Sequence, residues 1–221
     1  MRFTLSLFLF FYGFCSCSTN RENTYEQNLA ACTKRLGHFP KGIDSIGIIG
    51  ANTKAQFQEQ IRDCMQGSIG PRFMVNTYTG DSVSTVPTQG KAMVLFFWLA
   101  LPDDAPIEFK KSDKSLFTAM NMLHRKYTHS VEFLGFPFND TATAKQYLQA
   151  HPLDFPQVQD KKISSDKHIL LSQNSTPYLI FINSKGRVVK IITSSLSTEK
   201  RAIEVYSPII QACIDNKPLV E

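Results

Sequence analysis

The residues most able to do chemistry in this chain are its five cysteines, Cys15, Cys17, Cys32, Cys64 and Cys213. A thiolate is a nucleophile and a metal ligand, and a pair of thiols exchanges with disulfides. Spacing limits these five. There is no Cys-x-x-Cys, and no cysteine lies between Cys64 and Cys213. The histidines, His38, His124, His129, His151 and His168, contain no His-x-x-x-His pair, so no metal site is expected. Gly90-Lys91 lacks the other residues of a phosphate-binding loop, and Gly47-Ile48-Ile49-Gly50 lacks the three-glycine dinucleotide pattern. Gly-x-Ser-x-Gly is absent, and no cofactor is expected. Asp103 and Asp104 leave two readings open. They could form an acid/base pair, since paired carboxylates push their pKa values apart. They could instead cap a helix and complement its dipole.

Composition excludes several classes. The 221 residues carry 24 Lys+Arg against 19 Asp+Glu, a scattered charge of +5, so nucleic-acid binding is not expected. A hydrophobic share of 43% with 19% charged residues belongs to a folded chain. The length suits one domain, or one domain plus a small appendage. One long apolar run is present, at the N-terminus, so a polytopic membrane protein is excluded.

That run has the organisation of an export signal. Arg2 supplies the positive end, residues 5–12 are apolar, and Gly13, Phe14, Cys15 and Ser16 follow. Residues 1–16 are therefore expected to be removed. Ser16-Cys17 resembles the cleavage site of a bacterial lipoprotein signal, with Phe14 where leucine is usual. The resemblance implies a lipid-modified Cys17, carrying diacylglycerol and an N-acyl (palmitate) chain, and hence a cell-envelope protein whose first partner is the membrane. Two lipid signals anchor stably. An ordinary cleaved signal would leave Cys17 as a free thiol. Either way the chain reaches an oxidising compartment. The polar residues up to Thr24 make 17–24 a tether.

Helical spacing covers Tyr25, Leu29, Cys32 and Leu36, with Gly37 as a C-cap. Asn52 or Thr53 is expected to cap a second helix bearing Phe57, Ile61, Cys64 and Met65 on one face. Residues 25–67 thus form a helical pair ahead of a main domain at 68–221. There, strands at 73–78 and 82–86 flank the turn Thr79-Gly80-Asp81. The run 92–100 is apolar on both faces, as a central strand between two layers must be. A helix opening at Pro102 and reaching about Tyr127 follows, with acids in its first turn. Further strands fall at 131–138, 177–183 and 187–193. Helices fall at 141–150, 165–171 and from Ser197 or Thr198 to about Asp215. This order implies a mixed α/β sheet with helices on both faces.

Gly67, Pro71 and Phe73, Gly80, and Gly90-Lys91 leading into Val94-Leu95-Phe96-Phe97-Trp98 resemble extracytoplasmic thioredoxin-like proteins of the TlpA/ResA and AhpC/TSA redoxin type. Thr176-Pro177, the strand after it, Lys185-Gly186 and Val188 are similar to the cis-proline strand and hairpin of that family. The helical pair ending in Cys64 is similar to that of lipoproteins of this type from Bacteroidetes-like bacteria. The resemblance spans about 69–215 and implies a thioredoxin-like fold.

It also implies where chemistry should sit. The family carries Cys-x-x-Cys at the start of the helix after the Trp strand, where unpaired amides and the helix dipole stabilise a thiolate. Those positions fall here on Pro102 and Ala105, which cannot attack a disulfide or a peroxide. The dithiol mechanism is therefore absent at its usual place. The expectation is a redox-inactive, membrane-anchored module that binds an envelope protein or peptide. Its candidate groove is formed by Trp98, Asp103, Asp104, Thr176 and Pro177. The alternative is an envelope thiol–disulfide oxidoreductase that uses Cys32, Cys64 or Cys213. Cys32 and Cys64 sit on the inner faces of the two predicted helices, and spacing alone does not fix their geometry. They either form a disulfide or, with Cys213, are buried apolar thiols.

Overall fold

A computed structural model describes residues 23–37, 48–88, 90–159, 177–193, 196 and 198–219. The expected lipidation site at Cys17, the short helix at 165–171 and Thr176 lie outside the described residues. Among the described residues no helix is long and apolar enough to cross a membrane.

Among the described residues two helices come first, α1 (Tyr25–Leu36) and α2 (Ile48–Cys64). Thr24 starts α1 with a reciprocal cap. Its hydroxyl accepts from the Gln27 amide, and the Gln27 side chain accepts from the Thr24 amide. Gly37 ends it at φ 82°. α2 begins at Ile48, ahead of the expected start at Asn52 or Thr53. Gly50 falls in its first turn, where a glycine weakens a helix by about 1 kcal/mol without ending it.

A small antiparallel ribbon follows, β1 (Met74–Asn76) with β2 (Ser82–Ser84), turned at Gly80, whose φ is 90°. Among the described residues the main sheet has four strands, β3 (Ala92–Trp98), β4 (Val131–Pro137), β5 (Tyr178–Ile182) and β6 (Val188–Ile192). Their order is β4-β3-β5-β6. β4 runs parallel to β3, which requires a crossover, and α3 (Ile107–Tyr127) supplies it. β5 and β6 are antiparallel additions. Two further helices, α4 (Thr141–Ala150) and α5 (Glu199–Asp215), start on side-chain caps from Asp140 and Thr198.

Every residue of β3 is buried, as its two-sided apolar run requires. Val94, Phe96 and Trp98 point into one cluster with Leu116, Phe117, Met120, Tyr206 and Ile210 from α3 and α5. Met93, Leu95 and Phe97 point into the other, which contains Tyr25, Cys32, Ile61 and Met65. The helical pair thus covers the second face of the sheet. Asp63 on α2 pairs with Lys190 on β6 at 2.9 Å, and the Gly67 amide donates to the Val188 carbonyl.

Two expectations are corrected here. α3 starts at Ile107, with Pro106 at its N-cap, and not at Pro102. Proline lacks an amide hydrogen and pushes the residue before it out of the helical region, so Ala105-Pro106 cannot be interior helix. Asp103 and Asp104 consequently lie in a turn ahead of α3, and α3 has no side-chain cap.

Candidate functional site

The segment after β3 is a turn held by backbone bonds. The Ala105 amide donates to the Pro102 carbonyl at 3.0 Å, so the two positions of the missing dithiol close one turn. Neither carries sulfur. Asn139 grips the start of this segment through both the amide and the carbonyl of Ala100. The Phe138 amide donates to the Trp98 carbonyl at 2.8 Å, which fixes the end of β3 to the end of β4.

Trp98 and Pro177 are brought together. With Leu99, Leu101, Phe109, Ser112 and Asp113 they line a small pocket of about 60 Å³. Trp98 itself is almost wholly core. Its Nε1 donates to Gln157 Oε1 at 3.0 Å, and its ring meets Phe117 edge-on. Asp103 lies apart from that pocket and lines a neighbouring groove with Pro102 and Lys110. The Lys110 ammonium donates to the Asp103 main-chain carbonyl. Asp104 is exposed and lines neither. Beside the turn, Ile107 and Phe109 are large apolar side chains exposed by 56% and 61%.

The sulfur atoms lie elsewhere. Cys32 and Cys64 form a disulfide between α1 and α2. Cys213 is a free thiol buried in α5, and burial pushes it up to about 12, where it is inert at neutral pH. Among the described residues no group of three His, Cys, Asp or Glu side chains is placed to hold a metal ion.

Sequence reasoning missed Asp113. It lines the pocket under Pro177, and the Tyr147 hydroxyl donates to its carboxylate. The His151 ring lies against Tyr147, with centroids 4.6 Å apart. A signal was present: Asp113, Phe117 and Met120 share the inner face of α3 at helical spacing. Burial holds the Asp113 carboxyl above the usual range, and the Tyr147 bond and His151 offset this only in part. The folded state therefore favours protonated Asp113. Its stabilising effect is full below the unfolded value of about 3.9 and is lost as pH rises through the raised folded value. Asp113→Asn stays neutral, so it is expected to melt above the parent at pH 7 and level with it near pH 3. A lower melting temperature at pH 7 would show that the bond from Tyr147 to a charged acceptor outweighs burial.

No family model and no curated protein matches the chain. Solved structures do. One is a Chlorobium tepidum chain named as a DsbE thiol:disulfide interchange protein, at 20% identity and TM-score 0.54, covering 67% of this chain and 97% of that one. A second is a thiol:disulfide interchange protein of the thioredoxin family from the same organism, at 16% identity and TM-score 0.51, over 67% and 97%. A third is the C-terminal domain of a Bacteroides thetaiotaomicron chain named as a thiol-disulfide oxidoreductase, at 19% identity and TM-score 0.50, over 68% and 97%. At such identities likeness establishes fold and no more. The β4-β3-β5-β6 sheet, the α3 crossover and these neighbours together show that the chain has a thioredoxin-like fold, the type found in thiol–disulfide oxidoreductases.

Proposed function

We propose that the chain is a thioredoxin-fold module of the cell envelope, anchored through lipid on Cys17, that binds an extended peptide or protein segment at the Pro102–Ala105 turn. It performs no dithiol chemistry there. One observation carries this reading: the pocket joining Trp98 and Pro177 persists beside two exposed apolar side chains, while positions 102 and 105 hold no sulfur. Apolar side chains this exposed, grouped at a concave surface, mark interaction sites.

The mature protein, given dithiothreitol and a model disulfide substrate, is expected to reduce it no faster than dithiothreitol alone. Binding partners recovered from solubilised envelopes are expected to fall several-fold with Phe109→Ser, a surface change that leaves the core intact. Unchanged recovery would count against the turn as the binding surface. Metabolic labelling with palmitate tests the anchor: label should enter the parent and be absent from Cys17→Ala.

A second reading has its own observation. The Arg35 guanidinium lies 2.9 Å from Cys64 Sγ, and a neighbouring cation favours a thiolate. An oxidoreductase built on Cys32 and Cys64 would show a catalysed rate in the same assay, lost in Cys64→Ser. That result would replace the binding reading.

A further inference from the structure

The groove behind the Pro102–Ala105 turn differs in character from the pocket at Pro177. It has a volume of about 300 Å³ and runs between the first turns of α3 and the end of α4. Lys110, Lys111 and Lys114 all line it, and Asp103 is the one carboxylate among its lining residues. Its apolar surface comes from Leu101, Ile107 and Tyr147. A second depression of about 290 Å³ shares Leu101, Pro102, Asp103, Tyr147 and His151 with it and continues along α4 to Thr143. The two depressions share five lining residues and together form a trough that reaches from the first turns of α3 along α4.

The three lysines have no carboxylate partner among the ion pairs of the described residues. Lys110 is held toward the groove by a main-chain carbonyl, which leaves its charge uncompensated. Lys110 and Lys114 are also four apart on one helix, a like-charge spacing that weakens a helix. Asp113 on the same helix is engaged by Tyr147 and lines the other pocket. Uncompensated cations over an apolar floor are complementary to a chain that alternates acids and apolar residues.

We infer that this trough docks an acidic, extended peptide segment, with its carboxylates on Lys110, Lys111 and Lys114 and its apolar side chains against Leu101, Ile107 and Tyr147. This rests on the peptide-binding reading above and adds the chemistry of the partner.

The test uses the full mature chain, with its disulfide intact, and fluorescence polarisation of three labelled peptides of equal length. One alternates Glu and Leu, one Gln and Leu, and one Lys and Leu. The Glu peptide is expected to bind at least about tenfold tighter than the Gln peptide, and to lose that advantage in high salt. The Lys110→Glu/Lys114→Glu variant should abolish the preference, and Lys110→Gln/Lys114→Gln should reduce it. Thermal melts of both variants check that these surface changes leave the fold intact. Equal binding of all three peptides would overturn the acidic preference and leave the peptide-binding reading standing. Binding of none would overturn both. Vesicles of anionic phosphatidylglycerol form a further arm. Charge-dependent binding to them, with no binding of the Glu peptide, would assign the lysines to a membrane surface and overturn the inference.

Discussion

Gly135→Ala is expected to destabilise the protein by about 3–5 kcal/mol. Gly135 sits in β4 where the 155–158 segment crosses it, and their backbones exchange two bonds: the Gly135 amide to Pro156, and the Val158 amide to Gly135. A Cβ at Gly135 would fall 1.9 Å from Gln157 Oε1 and 2.5 Å from Cδ. The Gln157 amide cannot retreat freely, because it is buried and bonded at both ends. Its oxygen accepts from Trp98 Nε1, and its nitrogen donates to the Phe155 carbonyl. Overpacking a core site costs about 1–3 kcal/mol, and each buried polar group left unpaired about 1–3 more. At about 2–4 °C per kcal/mol for a chain of this size, the melting temperature should fall by roughly 10 °C. The partner variant isolates the cause. In a Gln157→Ala background the clash is gone, so adding Gly135→Ala should cost little more. A full additional loss in that background would place the cause in the strand itself.

Removing the Cys32–Cys64 disulfide is the second large effect. The bridge closes a loop with a sequence separation of 32. On the chain-entropy relation this contributes about 3–4 kcal/mol. The loss should be local before it is global. Of α1, only Tyr25 and Cys32 are buried, and a 12-residue helix is marginal without tertiary support. In Cys32→Ala/Cys64→Ala, or in the reduced parent, amides of α1 should exchange fastest, and the melting temperature should fall by roughly 10 °C. Equal melting of oxidised and reduced protein would refute this. So would α1 amides that stay as protected as those of β3.

Much of the fold is legible along the chain, and the reason is local. β3, β4, β5 and β6 fall within a residue or two of their expected runs. β3 and β5 are buried at every position and so must be apolar throughout, while β4 and β6 each admit one half-buried charge, Glu132 and Lys190, within an otherwise mostly apolar run. α4 and α5 begin where Asp140 and Thr198 offer side-chain caps. The start of α3 is misread because acids after a proline resemble a first turn. Pro106 decides otherwise through its ring and its missing hydrogen. The early start of α2 is misread because Gly50 looks like loop, although a single glycine does not stop a helix.

The site divides in the same way. Sequence alone establishes that positions 102 and 105 carry no sulfur, and chemistry that depends on a side-chain atom cannot occur where the atom is missing. It also places Trp98 within the strand at 92–100 and Pro177 at the start of the strand at 177–183. The family resemblance grouped these two with Asp103 and Asp104 in one groove. Only the tertiary structure decided that Trp98 and Pro177 line a pocket without Asp103 and Asp104, and that Asp113, bonded by Tyr147, lies inside it. Only packing put Gln157 against Trp98, 59 positions away, and Cys64 against Cys32. Such pairings depend on how elements turn and stack after they form. Periodicity and capping are settled between neighbours in the chain, whereas these contacts are settled between surfaces that the chain brings together only once it is folded.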